Sequence, residues 1–139
     1  MAPRSFVLDT SALLTFIEDE AGSERVEEVL RQERCFLPWM VLLEVYYISQ
    51  QERGRGEADR RYALMKQLPC EVLWQNDEPT ILTAAQLKAE HRLSLADSLI
   101  AAFAHRQEAT LLHKDPEFEA LNERVSLEAL PYKSARNGA

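Results

Sequence analysis

Short apolar runs alternate along the chain with longer segments in which apolar residues recur at intervals of three and four. Such a run is typical of a strand covered on both faces, and the longer spacing is typical of a helix with one buried side. We predict strands at residues 6–8, 35–37, 71–74 and 110–112, an edge strand at 125–127, and helices at 11–19, 23–30, 39–53, 57–67, 78–89, 94–105 and 116–121. This alternation predicts an α/β fold with a mostly parallel central sheet and helices on both faces.

The length and composition indicate one globular domain. With 139 residues the chain can bury one continuous core, so we expect a single domain over 1–139, in which residues 133–139 form a frayed polar tail. No apolar run approaches the ~20 residues that span a bilayer, and no signal-like segment opens the chain. We therefore expect a cytoplasmic protein that makes no membrane contact. Cys35 and Cys70 lack metal-ligand spacing, and we expect isolated, reduced core thiols.

The net charge restricts the function. A formal charge of −7 argues against a protein that coats nucleic acid by charge alone. It is compatible with an enzyme that holds cations, because carboxylates around a divalent ion add negative formal charge that the ion offsets. The positions of the acidic residues are therefore informative.

Two of the predicted strands end in an aspartate. Asp9 follows the first strand and precedes Thr10 and Ser11, while Asp115 follows the fourth strand and precedes Pro116. Ligands of open parallel sheets bind at the carboxyl ends of the strands, so both aspartates are candidates for one site. Each also fits an ordinary N-cap of the helix that follows, with the hydroxyl residues in the turn.

Two further acids lie on the apolar sides of predicted helices. Glu44 shares a side with Val41 and Ile48, where an unpartnered charge is unfavourable, unless the carboxylate only borders this side and reaches water. Asp97 precedes apolar residues of its own helix at spacings of three, four and seven. Asp97 also completes a capping box with Ser94, and one side chain can fill both roles.

The four acids together predict a divalent metal site. Four converging carboxylates would repel one another unless cations held them. A set of oxygen ligands suits Mg²⁺ or Mn²⁺ rather than zinc, and the three histidines are scattered at positions 91, 105 and 113. Metal ions in pairs are a common solution for phosphodiester cleavage.

Four motifs in this order resemble those of the PIN-domain ribonucleases, and within them the VapC toxins of toxin–antitoxin pairs. The motifs are Leu8-Asp9-Thr10-Ser11-Ala12-Leu13-Leu14, Leu43-Glu44-Val45, Leu95-Ala96-Asp97-Ser98-Leu99-Ile100-Ala101 and Asp115-Pro116-Glu117-Phe118. The resemblance covers nearly the whole chain and implies a PIN-like three-layer sandwich. His113 departs from the Thr or Ser that many relatives carry two residues before the last aspartate, although Ser11 remains.

This resemblance implies the toxin component of a type II toxin–antitoxin system, a metal-dependent endoribonuclease. It would cleave RNA phosphodiester bonds with metal-activated water, using Mg²⁺ or Mn²⁺. The implied site residues are Asp9, Glu44, Asp97 and Asp115, as catalytic residues and metal ligands, with Ser11 and Glu117 in support. It also implies a homodimer and a cognate antitoxin.

The helices at 39–53 and 57–67 offer candidate contacts for these partners. The densest basic patch of the chain would meet the RNA substrate, and comprises Arg53, Arg55, Arg60, Arg61 and Lys66. An equally good reading is a solvated helix face paired with Glu52, Glu57 and Asp59. The first helix also carries more apolar surface than one side can bury, so we expect an antitoxin groove involving some of Trp39, Met40, Tyr46 and Tyr47.

Two other functions remain open on the sequence. In a Mg²⁺-dependent phosphoryl-accepting regulatory domain, a strand-end aspartate would take the phosphoryl group and Lys114 would assist. That function would give no role to Glu44 and Asp97 on the apolar sides of their helices. The second is a binding module that keeps the PIN fold and has lost the chemistry, against which the presence of all four acids argues.

Overall fold

The computed structural model describes residues 2–133, so the expected tail lies outside the described residues apart from Lys133. Five strands form one sheet in the order β3-β2-β1-β4-β5, and every neighbouring pair is parallel. The strands are β1 (Ser5–Leu8), β2 (Arg34–Pro38), β3 (Glu71–Leu73), β4 (Thr110–His113) and β5 (Leu127–Ala129). The predicted α/β fold with a parallel central sheet is confirmed.

Helices flank the sheet. They are α1 (Thr10–Ile17), α2 (Ser23–Gln32), α3 (Trp39–Arg53), α4 (Arg55–Gln67), α5 (Glu78–Glu90) and α6 (Leu95–Arg106), with a 3₁₀ helix at Pro116–Leu121. Helix α6 packs on β1 and β4 and pairs with α5, whereas α1 contacts α2 and α3. Among residues 2–133, no helix combines the length and apolarity needed to cross a bilayer.

The centre of the sheet is fully buried, and this position orients the candidate site. Phe6, Val7 and Leu8 of β1 have no exposed surface, because neighbouring strands and helices cover both of their faces. Since all strands run in one direction, β1, β2 and β4 end at the same edge of the sheet. Asp9 follows β1 directly, α3 with Glu44 follows β2, and Asp115 follows β4.

Several predicted boundaries differ from the structure by one or two residues, and three of these differences have a clear local reason. The edge strand β5 lies at Leu127–Ala129 rather than at 125–127, because the Val125 N–H donates to the Leu121 carbonyl and closes the turn after the 3₁₀ helix. Strand β3 ends at Leu73, leaving Trp74 exposed. Helix α4 begins at Arg55, so Gly56 lies inside it, and Gly54 alone separates the two helices with a φ of 90°.

The two cysteines are not isolated, contrary to expectation. Cys35 is buried in β2, and Cys70 stands half-buried immediately before β3, with the two sulfur atoms 2.6 Å apart. Both are free thiols. Their spacing of 35 positions in the sequence gave no sign of this proximity.

Helices α3 and α4 form a helical arm whose interior holds one arginine. Arg61 is 4% exposed, and its guanidinium donates to Glu18 at 3.1 Å, Glu57 at 3.0 Å and Ser49 Oγ at 3.1 Å. A guanidinium enclosed in this way is not available to phosphate groups. The burial of Arg61 therefore disfavours the expected contact with substrate, and the residue ties the arm to the end of α1.

Removing this guanidinium should destabilise the arm. We expect Arg61→Ala to lower the free energy of unfolding by about 2 kcal/mol, because it leaves the Ser49 hydroxyl and the Glu18 carboxylate without their buried partner. Urea denaturation measures the loss. Arg60→Ala is the matched control, since Arg60 binds the same Glu57 from an exposed position and its removal should change little. Equal losses in the two variants would contradict the role given to Arg61.

Candidate metal centre

Asp9 is an almost fully buried acid at the end of β1. Its side chain is 2% exposed and accepts hydrogen bonds from the Ser11 hydroxyl at 2.8 Å and from the Ala12 N–H at 2.8 Å. It is thus the N-cap of α1, as the simpler reading proposed. Burial, with a smaller contribution from the nearby Asp97 carboxylate, nevertheless raises the pKa of Asp9 to about 7. The cap is also a member of an acidic cluster.

Asp97 lies in the first turn of α6 and is the electrostatic centre of that cluster. The Ser94 hydroxyl accepts from the Asp97 N–H at 3.0 Å, which is the predicted helix cap. Burial raises the pKa of the Asp97 carboxyl to about 6, and the charges of Glu44, Asp115 and Glu117 contribute to this rise. The capping interaction uses the backbone of Asp97 and leaves its carboxylate among the other acids.

Asp115 and Glu117 complete the cluster from the segment after β4. Asp115 caps the 3₁₀ helix by accepting from the Glu117 N–H at 3.0 Å. One carboxylate oxygen from each of Asp97, Asp115 and Glu117 lies within 4.8 Å of the others. We expected Glu117 to be an outer, supporting acid, but the structure places it within this group of three.

Glu44 joins the acidic cluster through a contact that the sequence did not reveal. The Thr10 hydroxyl donates to the Glu44 carboxylate at 2.5 Å, which links the start of α1 to α3. Glu44 therefore does not simply reach water, although it is only partly buried. From the sequence we interpreted Thr10 as a turn residue. The only sequence feature that could have indicated its role beside the acids is its position directly after Asp9.

Two neighbours of the acids hold the strand ends together. The Ser11 hydroxyl, which donates to Asp9, accepts from the Lys114 N–H at 2.9 Å and so connects the ends of β1 and β4. His113 is 1% exposed, and its Nδ1 accepts from the Asp115 N–H at 3.1 Å. Burial lowers the pKa of His113, which favours the neutral ring that this acceptor role requires. The histidine in the place of a hydroxyl residue thus supports the backbone of Asp115.

The basic residues expected to contact substrate do not share one environment. Arg53 lies 3.8 Å from Glu18, Arg60 is bound by Glu57, and the Lys66 ammonium lies over the rings of Tyr62 and Trp74. Arg55 is exposed at the start of α4. The ion pair between Arg60 and Glu57 agrees with the alternative interpretation, in which these residues form a solvated helix face.

The donor set fits a hard divalent cation. The three closest donors are carboxylate oxygens, the ligand type that Mg²⁺ and Mn²⁺ prefer. The pKa values of Asp9 and Asp97 are raised mainly by burial and further by repulsion from neighbouring acids, so both carboxyls ionise at a cost in free energy. A bound cation would offset this repulsion, so the residues present match the metal that the sequence implied.

Without a divalent cation, stability should fall as the pH rises. The folded-state pKa values of about 7 for Asp9 and about 6 for Asp97 exceed the ordinary value of 3.8. A raised pKa favours folding in the protonated form, so this contribution is complete below ~pH 4 and is lost as the pH rises through ~7. We expect a lower Tm at pH 8 than at pH 5.5 in EDTA, and recovery at pH 8 when Mn²⁺ replaces EDTA.

The Asp9→Asn variant should flatten this pH dependence. Asp77→Asn is the matched control, because Asp77 caps α5 through the Thr80 N–H at 2.9 Å in the same manner. The control should keep the slope of the parent protein. A parent protein whose Tm in EDTA rises from pH 5.5 to pH 8 would contradict the raised pKa values of Asp9 and Asp97.

Comparisons with known proteins agree with this architecture. The PIN domain family model matches residues 6–124. VapBC2 from Rickettsia felis, bound to a DNA fragment from its promoter, is similar with a TM-score of 0.76 and 16% identity over 91% of this chain and 99% of that one. VapBC-1 from Haemophilus influenzae has a TM-score of 0.71 and 20% identity over 90% and 97% of the two chains.

A third similar structure is VapC20 from Mycobacterium tuberculosis, described as a toxin that cleaves the sarcin–ricin loop. Its TM-score is 0.71, with 15% identity over 91% of this chain and 99% of that one. A search of curated proteins found no match. At these identities the three structures show a common fold. The PIN domain family model spans most of this chain, and the chain therefore belongs to the PIN-domain family.

Proposed function

We propose that this protein is a metal-dependent endoribonuclease of the VapC type, the toxin of a type II toxin–antitoxin system. The observation that carries the proposal is the group of Asp97, Asp115 and Glu117, whose carboxylate oxygens lie within 4.8 Å of one another. Asp9 and Glu44 extend the group, since the charge of Asp97 acts on Asp9 and the charge of Glu44 acts on Asp97. A PIN domain with such a cluster has the carboxylate groups that a metal-dependent nuclease needs.

The acids have distinct roles in this proposal. Asp97, Asp115 and Glu117 would hold the cation, Mg²⁺ or Mn²⁺, while Asp9 and Glu44 supply further carboxylates beside it. When bound, the cation would act as a Lewis acid that activates water and offsets charge on the phosphodiester. Thr10 fixes Glu44, and Ser11 fixes Asp9. His113 fixes the backbone of Asp115, so three neutral side chains maintain the placement of the acids.

RNA is the proposed substrate, and the exposed cations of the arm are its proposed contacts. VapC20, which has the same fold, is described as cleaving an RNA loop, and we extend RNA cleavage to this chain. With a net charge of −7, the protein depends on local cations to hold phosphate groups. We assign this role to Arg53, Arg55, Arg60 and Lys66. Such a toxin would act in the cytoplasm.

The phosphoryl-accepting alternative is less consistent with the position of Lys114. Its ammonium donates to the Ala21 carbonyl at 3.0 Å and lies 3.6 Å from Glu20, and its side chain is almost fully buried. A lysine held in this way is not free to assist phosphoryl transfer. A silent binding module differs from the nuclease only in activity, so the cleavage assay separates these two functions.

An antitoxin is the proposed protein partner, and an apolar groove on the arm is its proposed site. The groove is lined by Trp39, Leu42, Leu43, Tyr46, Tyr62 and Trp74. Leu43 is 55% exposed and adjoins Glu44 in sequence, so the groove lies on the helix that carries one of the acids. Of the residues we expected there, Trp39 and Tyr46 are present, whereas Met40 is buried in the core. An apolar helix carrying an Arg or Lys fits this combination.

A second copy of the chain is the other proposed partner. Helices α5 and α6 form a separate apolar patch, lined by Asn76, Ile81, Ala84, Ala85, Lys88, Ala89, Leu95 and Leu99. Ile81 and Leu95 are among the exposed large apolar residues. The patch carries one charged side chain, Lys88, so two copies can meet there without opposing their acidic surfaces. We propose this patch as the homodimer interface.

Cleavage should depend on the divalent cation. Purified protein, free of antitoxin, should cut cellular RNA at discrete positions in Mg²⁺ or Mn²⁺ and lose this activity in EDTA, because the donors are carboxylates. Mapping the new RNA ends gives the cleavage sites. Full activity in EDTA would exclude the proposed chemistry.

Asp97→Asn should separate catalysis from helix capping. Asparagine keeps the backbone bond to Ser94, so the cap should lose at most about 1 kcal/mol, and relief of repulsion can offset this loss. Because a neutral ligand replaces a charged one, RNA cleavage in Mn²⁺ should fall by at least about 100-fold. Thermal unfolding in EDTA is measured beside cleavage.

The matched control is again Asp77→Asn, which changes an N-cap outside the acidic cluster and should keep full activity. A destabilised Asp97→Asn that cleaves normally would leave Asp97 as a cap only. Glu117→Gln should also lose activity if Glu117 belongs to the metal ligands rather than to the surface.

Two surface variants should separate the two partner sites. Leu43→Glu places a charge in the groove and should abolish antitoxin binding while the homodimer persists. Ile81→Glu places a charge in the α5–α6 patch and should give a monomer that still binds the antitoxin. Analytical ultracentrifugation and co-purification with the antitoxin measure both properties, and each variant controls for the other. Loss of both properties in one variant, with the fold intact, would show that the surfaces are not separate.

A further inference from the structure

The two cysteines occupy adjacent positions on neighbouring strands. Phe36 of β2 pairs with Glu71 of β3, so Cys35 and Cys70, one residue earlier on each chain segment, stand side by side. Parallel neighbours are separated by ~4.8 Å, which lies in the Cα range that a disulfide bridges. The sulfur atoms are already 2.6 Å apart. The backbone positions therefore allow the bond, and only a small movement of the side chains is needed to form it.

We propose that Cys35 and Cys70 form a thiol–disulfide exchange site that accepts a low-molecular-weight disulfide such as oxidised glutathione. The Cys70 thiolate attacks one glutathione sulfur, the glutathione S–S bond breaks, and one glutathione leaves as a thiol. The Cys35 thiolate then attacks Cys70 Sγ and releases the second glutathione. Two protein thiols are oxidised by two electrons, and one glutathione disulfide is reduced to two thiols that take up the two protons.

The accessibility of the two thiols sets the order of these steps. Cys70 is half-buried and lies between exposed Pro69 and exposed Glu71, so a small disulfide can reach it. Cys35 is 3% exposed, and the hydrogen bond with Cys70 and burial both raise its pKa. Because a small disulfide in solution cannot reach buried Cys35, this thiol reacts second, after Cys70 carries the glutathionyl group. Cys70 is the entry point, and Cys35 is the resolving thiol.

The bond would close the helical arm at its base. Cys35 precedes α3 and Cys70 follows α4, so a disulfide joins the two ends of the segment that carries the arm. Strand β3 is an edge strand held by three paired positions, and the cross-link would fix it covalently to β2. The pair lies towards the start of β2, whereas the acids lie beyond the ends of the strands. Closure should therefore change stability rather than the acidic cluster.

The test uses the full chain, reduced and then treated with oxidised glutathione. Intact mass and thiol titration should show that the wild type loses two hydrogens and both thiols and carries no glutathionyl group. Cys35→Ser should accumulate one glutathionyl group, because Cys70 attacks the glutathione disulfide and no second thiol resolves the mixed disulfide. Cys70→Ser should remain unmodified, because Cys35 is buried.

Thermal unfolding supplies a second readout. The oxidised wild type should melt about 10 °C above the reduced protein, because the bond constrains a loop of the unfolded chain that spans the whole arm. Neither single variant should show this shift. A wild type that keeps a stable glutathionyl group, forms a covalent dimer or retains both thiols would overturn the proposal. None of these measurements depends on RNA cleavage, so the result is independent of the proposed nuclease function.

Discussion

Repulsion among carboxylates is the constraint on which the site depends. The fold places Asp9, Glu44, Asp97, Asp115 and Glu117 near one another, and burial together with the charges of three of these neighbours raises the pKa of Asp97. Such a cluster costs free energy when every member is ionised. The parallel sheet supplies the opposing free energy, because the fully buried β1 and its neighbours hold the strand ends in place. A bound divalent cation would convert this cost into affinity for the metal.

The polar contacts around the site show how this cost is tolerated. Asp9 and Asp115 each cap the helix that follows, and the Ser94 cap fixes the backbone of Asp97. These interactions place each of the three acids at the start of a helix. For Asp9 and Asp97 this is an α-helix, whose N-terminal end carries a positive partial charge that favours a carboxylate. Capping and metal binding are therefore compatible roles. The sequence left capping and metal binding as alternatives for Asp9 and Asp115 and as compatible for Asp97. In the structure, a cap positions all three residues.

The surface around the acids divides into regions of different character. The apolar groove on the arm and the apolar patch of α5 and α6 use different helices, yet Leu43 and Leu95 each lie close in sequence to one of the acids. The arm also carries the exposed cations and ends at the cysteine pair. Substrate, antitoxin and redox state would thus all act through the same pair of helices, whereas the second copy would bind elsewhere.

The sequence alone determined the α/β fold, its parallel sheet, the arm and the acids at strand ends, because apolar periodicity and cap residues are local signals. It did not determine the burial of Arg61, the contact of Thr10 with Glu44 or the position of Glu117 within the closest group of acids. Nor did it reveal that Cys35 and Cys70 are neighbours. These features bring together residues that are far apart in the chain, so local sequence signals cannot predict them. Only the packing of helices on the sheet decides which side chains then meet.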